Sequence, residues 1–266
     1  MRRNKNEKPP ADEKRPPRIL VPDLAAHRGT AEEITLGKEE RTHVRSRRLR
    51  DGDEVIALDG KGGRGRGTVT SKGTAVRLTA FEEIPRVVAP SSPEFFASLP
   101  GEPSLRVTVL LACAEPARVE WAVEKGTECG AAAFLLLACE RSQLSHVAAL
   151  RGRLPRLARI AAEAAKQCDR TIVPAVEGPE KPGDFLRRWK GRILIAEPEA
   201  PPLARNAAVE AGDRPLAVAI GPEGGFSPGE RSLFEKSGSL PFSLSPRILR
   251  LETAVVVALT HLVGGR

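Results

Sequence analysis

From Leu105 onward the chain repeats one pattern, a short and almost continuous apolar run followed by a longer segment of helical character. Leu105–Ala112 (LRVTVLLA), Ala132–Ala138 (AAFLLLA), Arg192–Ala196 (RILIA) and Leu216–Ile220 (LAVAI) are the apolar runs. Strands that are apolar on both faces belong to parallel sheets covered by helices on both sides. The intervening segments supply such helices. One is expected from Pro116, a favoured first-turn residue, to about Gly130, a favoured residue just past a helix end. Another is expected over the Ala-rich residues 155–168. A short strand over Pro241–Leu244 and an apolar helix over Ala254–Val263 complete an α/β domain expected over 104–266. Ligands on such sheets bind beyond the carboxyl ends of the strands, so the chemistry is expected in the loops that follow them.

The first third reads differently. Glu54–Leu58, Gly67–Thr70 and Thr74–Leu78 are short strand-like runs separated by Gly-containing turns, which suggests hairpins in a small barrel or sandwich over residues 18–84. Arg64-Gly65-Arg66-Gly67 is expected to be a turn with solvated arginines. Residues 85–103, with Pro85, Pro90, Pro93, Pro100 and Pro103, read as a linker. Residues 1–17 are rich in Pro and charge and read as a disordered basic tail rather than a signal peptide, having no apolar core.

The net charge is +8, and residues 1–80 hold 19 Lys/Arg against 12 Asp/Glu. Two readings of that excess stand at this point: a surface for a polyanion, or a basic surface that serves solubility alone. Cys113, Cys129, Cys139 and Cys168 form no C-x-x-C pair and have no His at zinc-finger spacing, so reduced thiols, a cytoplasmic protein and no metal site are expected. No apolar run approaches the roughly 20 residues of a membrane span.

Two loops carry the functional argument. Ile220–Glu230 (IGPEGGFSPGE) leaves a buried strand and enters a helix. Ser227 is placed to cap that helix, Pro228 to occupy its first turn, and Glu230 to close a capping box. Three glycines within residues 221–225 permit close backbone approach to a ligand. It lacks both a Gly-Lys-Ser/Thr ending and the G-x-G-x-x-G spacing, which excludes the two common phosphate-binding loops. On local grounds it reads equally as a plain glycine-rich connection. The second loop, Leu244–Ala254 (LSPRILRLETA), alternates apolar and cationic residues, and reads equally as an amphipathic helix entrance.

Taken together, GPEGGFSPGE and RILRLETA closely resemble the paired signature of the RsmE family, the 16S ribosomal RNA uridine-N3 methyltransferases of the SPOUT superfamily. Further motifs are similar in the same order. These are Arg118-Val119-Glu120 with Glu124–Gly130 (EKGTECG), Glu140-Arg141-Ser142, Glu163–Arg170 (EAAKQCDR), and His43 with Arg48–Asp53 (RLRDGD). The likeness spans about residues 18–263. The chain departs from the family pattern at Glu115, Lys166, Ser245 and Leu251, and Ser245 adds a β-carbon where the family places glycine.

The resemblance implies a PUA-like β-barrel that holds RNA, then a SPOUT methyltransferase domain with a deep trefoil knot, in a homodimer. It implies S-adenosylmethionine as cofactor and ribosomal RNA of an assembled small subunit as partner. Expected cofactor contacts are Leu194, Ile195, Ile220, Gly221, Gly224 and Gly225 from two strand ends, and Leu244, Ser245, Ile248, Leu249 and Thr253 from the last loop. Arg250, Arg118 and Glu223 are the catalytic candidates. Arg45, Arg47, Arg48, Arg50, Lys61, Arg64, Arg66, Arg170 and Arg247 are the candidates for gripping RNA, with phosphate contacts that position without reading sequence. Two alternatives stand beside this reading: a SPOUT enzyme for another RNA position, and a catalytically impaired RNA-binding or ribosome-assembly factor.

Overall fold

The computed structural model describes residues 16–27, 32–82, 99, 101–202 and 215–263. The expected tail over 1–17 and linker over 85–103 fall largely outside them. The chain divides into two compact units, one drawn from residues 1–59 and 63–83, the other from 60–62 and 84–266.

The first unit is a five-stranded sheet of β1 (Arg18–Leu20), β2 (Glu33–Thr35), β3 (Glu54–Leu58), β4 (Arg64–Thr70) and β5 (Ala75–Glu82), in the order β1-β3-β4-β5-β2. Ile19 from one edge strand and Ile34 from the other belong to the same buried cluster, so the sheet curls around its own core in the manner of a PUA-like barrel. The turn between β4 and β5 places Ser71 and Lys72 at positive φ, as a tight hairpin requires. The Asp51 carboxylate accepts from the Lys72 and Gly73 amides at 3.0 and 3.1 Å, which holds that turn.

Two features differ from the sequence reading. Lys38–Ser46 forms a helix, α1, in a segment read as strand-like; Val44 is its one buried apolar residue, too little to show a period. Arg64–Gly67 lies within β4 and is not a turn. A β-carbon at Gly67 would stand 2.7 Å from the carbonyl oxygen of Arg77, so the glycine serves close strand approach at a bulge.

The second unit runs β6 (Val107–Ala112), α2 (Pro116–Glu128), β7 (Ala131–Leu137), α3 (Leu144–Gln167), β8 (Ala175–Glu180), α4 (Pro182–Arg188), β9 (Arg192–Ala196), β10 (Leu216–Ile220), α5 (Pro228–Lys236), β11 (Leu240–Phe242) and α6 (Leu251–Val263). Its six strands are all parallel, in the order β11-β9-β10-β6-β7-β8. All five residues of β10 are buried, as expected for a central strand covered on both faces. From β6 the chain moves outward through β7 and β8, and its second half builds on the opposite side. That reversal makes a switch point between β6 and β10, with β9–β11 beyond it.

Local chemistry sets the boundaries around the site. Pro116 opens α2, and Gly130 follows its end at φ +93°. The Ser227 hydroxyl accepts from the Glu230 amide at 3.1 Å, and the Glu230 carboxylate accepts from the Ser227 amide at 2.9 Å. The other Glu230 oxygen accepts from the Glu140 amide at 2.9 Å, tying the loop before α3 to the start of α5.

Candidate functional site

Three segments leave the carboxyl ends of β9, β10 and β11 and enclose a cavity of about 270 Å³. Ala196–Pro198 forms one wall, Ile220–Phe226 a second, and Leu244–Leu251 with Ala254 a third. The two motif loops, about twenty residues apart in the chain, therefore share one cavity.

The glycine loop is held in a specific shape. Gly225 has φ +69°, a conformation that side-chain-bearing residues avoid, and its amide donates to the Pro222 carbonyl at 2.7 Å. A β-carbon at Gly221 would meet the Phe226 ring at 3.1 Å. Phe226 is buried and packs on Phe234 with ring centroids 5.0 Å apart, so it forms a fixed floor. Arg141 donates to the Gly224 carbonyl and braces the loop from outside the cavity.

In the last loop, the Ser245 hydroxyl accepts from the Arg247 amide at 3.1 Å. Ser245 is not among the residues with positive φ, so its β-carbon is accommodated without backbone strain. Leu251 is buried and helps seal the cavity. Ile248, by contrast, is 88% exposed at the mouth.

The expected cofactor contacts divide cleanly. Ile220, Gly221, Gly225, Leu244, Ser245, Ile248 and Leu249 line the cavity. Leu194 and Ile195 lie in the core of β9 and leave the wall to Ala196, Glu197 and Pro198; Gly224 faces Arg141, and Thr253 is exposed on α6. Among the catalytic candidates, Glu223 and Arg250 line the cavity. Arg118 on α2 reaches the same rim, with Nη1 3.1 Å from Glu223 Oε1 and Nε 3.3 Å from Glu115 Oε2. Glu115, a departure from the family pattern, thus makes Arg118 a cation held between two carboxylates.

Among the RNA candidates, Arg247 is exposed and lines the cavity, while Arg45, Arg47, Arg48, Arg50 and Arg66 are exposed on the first unit. Arg64 is half-buried in β4, and Lys61 is exposed in a segment that groups with the second unit. Arg170 corrects the expectation that it faces RNA. It is 4% exposed, pairs with Glu102 at 2.7 Å, and donates to the carbonyls of Thr127 and Ala131 at 2.9 and 2.8 Å. Its donors are spent inside the protein.

Glu197 was missed because no motif marks it. It follows β9 directly, lines the cavity, and lies 3.0 Å from Arg231 through Oε2. Burial pushes its carboxyl above the ordinary range, opposed by the Arg231 guanidinium. Cys113 and Cys139 are buried just past the ends of β6 and β7, and burial raises both thiols, Cys113 to about 12, which keeps them protonated at neutral pH.

Chemically, the cavity combines apolar walls from Ile220, Leu244, Leu249 and Phe226 with loop backbone at Gly221 and Gly225. That suits a flat heteroaromatic group read along its polar edge. Two carboxylates, Glu197 and Glu223, stand in the wall beside Arg247 and Arg250. Among the described residues, no helix is long and apolar enough to cross a membrane.

Comparisons with known proteins agree with this geometry. Residues 101–263 match the family model described as an RNA methyltransferase domain, and residues 36–77 match an RNA methyltransferase PUA domain. The Ribosomal RNA small subunit methyltransferase E of Synechocystis is 32% identical over 222 residues, covering 81% of this chain and 67% of that one. A Legionella pneumophila protein solved with bound S-adenosylmethionine superposes with a TM-score of 0.77 at 28% identity, covering 93% of this chain and 97% of that one. The Ribosomal RNA small subunit methyltransferase E of Neisseria gonorrhoeae, solved bound to the same molecule, gives 0.76 at 21% identity over 92% and 95% of the two chains, a likeness of fold.

Proposed function

The chain belongs to the Ribosomal RNA small subunit methyltransferase E family, and on that premise we propose that it methylates N3 of a uridine in 16S ribosomal RNA, using S-adenosylmethionine. The observation that carries the reading is the single cavity shared by the glycine loop and the RILRLETA loop. S-adenosylmethionine supplies an already electrophilic methyl group on a cationic sulfonium. The apolar side chains with the backbone of Gly221 and Gly225 would hold its adenine, and the wall that contains Glu197 would face its polar parts.

The chain's own work is then alignment and the handling of one proton and one negative charge. Fixing the acceptor against the donor removes much of the entropic barrier. The uracil imide must lose its proton as the methyl is accepted, and the charge left on the ring needs a cation beside it. Arg250 and Arg118 stand at the cavity rim for that purpose. Glu223 pairs with Arg118 and is the candidate to accept the proton, directly or through water.

The exposed arginines of the first unit support a role in gripping ribosomal phosphates, so the substrate is read as RNA within an assembled small subunit, in the cytoplasm. A homodimer, which the family resemblance implies, belongs to the same reading. The trefoil knot implied by the family resemblance is retained in this proposal. After β11 at the sheet edge, the chain returns through 243–250 to α6, which packs on β10 and β6.

Reverse transcription across small-subunit RNA tests the product, because a methyl at uracil N3 blocks base pairing. A stop present in the parent strain should vanish when this protein is deleted and return on complementation. A stop that persists in the deletion strain overturns the reading.

A further inference from the structure

Glu197 is anchored on both sides. Its backbone N–H donates to the Phe242 carbonyl at 2.9 Å, which fixes the chain at the ends of β9 and β11. Its side chain is 16% exposed, and Oε2 lies 3.0 Å from Arg231 Nη2. Oε1 is shielded from solvent and has no hydrogen-bond partner. An ionised carboxylate accepts about four hydrogen bonds, and leaving a buried acceptor unmet is unfavourable. The last torsion of a Glu side chain is broad and soft. Rotation about that bond is therefore easy, and the carboxylate can meet a donor presented from the cavity it lines.

We propose that Glu197 recognises the ribose of the methyl donor by accepting hydrogen bonds from its vicinal hydroxyls. This rests on the S-adenosylmethionine reading above. Two observations favour neutral hydroxyl donors over the cationic sulfonium. Arg231 already balances the charge of Glu197, so the pair presents a neutral unit with spare acceptors. The residue also stands directly after a parallel strand and faces a glycine loop, the arrangement by which α/β folds place an acidic side chain on ribose hydroxyls. The raised carboxyl agrees with a group whose ligand-free surroundings lack donors.

The test is calorimetry on the full chain with S-adenosylmethionine, S-adenosylhomocysteine, and the 2′-deoxy and 3′-deoxy forms of the latter. The wild type should lose roughly 10- to 100-fold in affinity when a recognised hydroxyl is removed. Glu197→Ala should bind S-adenosylmethionine and S-adenosylhomocysteine more weakly by a similar factor, and should no longer distinguish the deoxy forms from the parent. Wild-type indifference to both deoxy ligands overturns the proposal without any variant having to fold. So does a Glu197→Ala loss confined to S-adenosylmethionine, which assigns the carboxylate to the sulfonium. If the wild type binds none of the four ligands, the cofactor reading itself fails, an outcome distinct from the other two.

Discussion

Arg118 and Glu223 are 105 residues apart in the chain, and Arg118 Nη1 lies 3.1 Å from Glu223 Oε1 at the rim of the cavity. Their side chains are 32% and 55% exposed, so the pair contributes little to stability, about 1 kcal/mol or less after solvent screening. Its value is position. Arg118→Ala should leave the melting temperature within a few degrees of wild type and lower methyl transfer at least tenfold, with S-adenosylmethionine affinity changed less than threefold. Glu223→Gln should lower the rate by less than Arg118→Ala if its main task is holding the arginine. Full activity in Arg118→Ala removes that residue from the mechanism.

Arg170 makes the opposite case. It and Glu102 have side chains only 3% and 2% exposed, and the arginine also serves two backbone carbonyls. Removing one partner of such a buried pair leaves an uncompensated charge and costs about 3–5 kcal/mol. Glu102→Ala or Arg170→Met should therefore shift the urea midpoint sharply downward. Folded Arg170→Met should keep wild-type affinity for RNA; a specific loss of RNA binding with unchanged stability contradicts the structural role.

These two arginines show how far the sequence could be read. The α/β pattern, the helix at Pro116 and the capping box at Ser227 were legible because each is written in adjacent residues with one physical meaning. Helix α3 was read only from residue 155, since Pro155 looks like a helix start. In the fold it lies inside a helix beginning at Leu144, held by Leu150, Leu157 and Ala161 in the core. Strand β8 (AVEGPE) was missed because an edge strand with only one of its six residues buried lacks the apolar run of its neighbours. Arg118 and Arg170 sit in motifs whose acidic and basic residues balance, and only packing distinguishes the rim cation from the buried strut. Glu197 belongs to no motif, and what marks it is an unmet oxygen in a cavity wall.

The Cys113 thiol gives a pH dependence. Burial raises it from the ordinary value of 9.0 to about 12, so the folded state holds its proton where the unfolded state releases it. The contribution is fully present below pH 9 and is lost as pH rises through 9 to about 12. Urea midpoints measured across that range should fall more steeply for wild type than for Cys113→Ala, after each is referenced to its own value at pH 8. Parallel curves rule out the linkage.

Arg45, Arg47, Arg48 and Arg50 lie on α1 and the turn after it, all exposed. If they contact phosphates, each releases counterions on binding, and the slope of log affinity against log salt should fall by about 0.7–0.9 for each arginine replaced by Gln. The loss should be similar for unrelated RNA sequences, since phosphate contacts carry no base information. Binding of the fourfold variant measured from 50 to 300 mM salt decides it, and an unchanged slope places the RNA elsewhere.

Gly221 offers a test of the cavity without touching a charge. A β-carbon there would lie 3.1 Å from the Phe226 ring, closer than ordinary contact, and the ring is locked by its packing against Phe234. Phe226 is 1% exposed, so it has no free space to move into. The strain in Gly221→Ala must therefore be relieved by the loop between Gly221 and Gly225, the segment that forms one wall of the cavity. S-adenosylmethionine affinity should fall about tenfold, the effect of a loss near 1.4 kcal/mol in binding. RNA affinity through Arg45, Arg47, Arg48 and Arg50 should stay within twofold. Equal losses in both would mean that the substitution unfolds the chain, and an unchanged cofactor affinity would mean that this loop does not hold the donor.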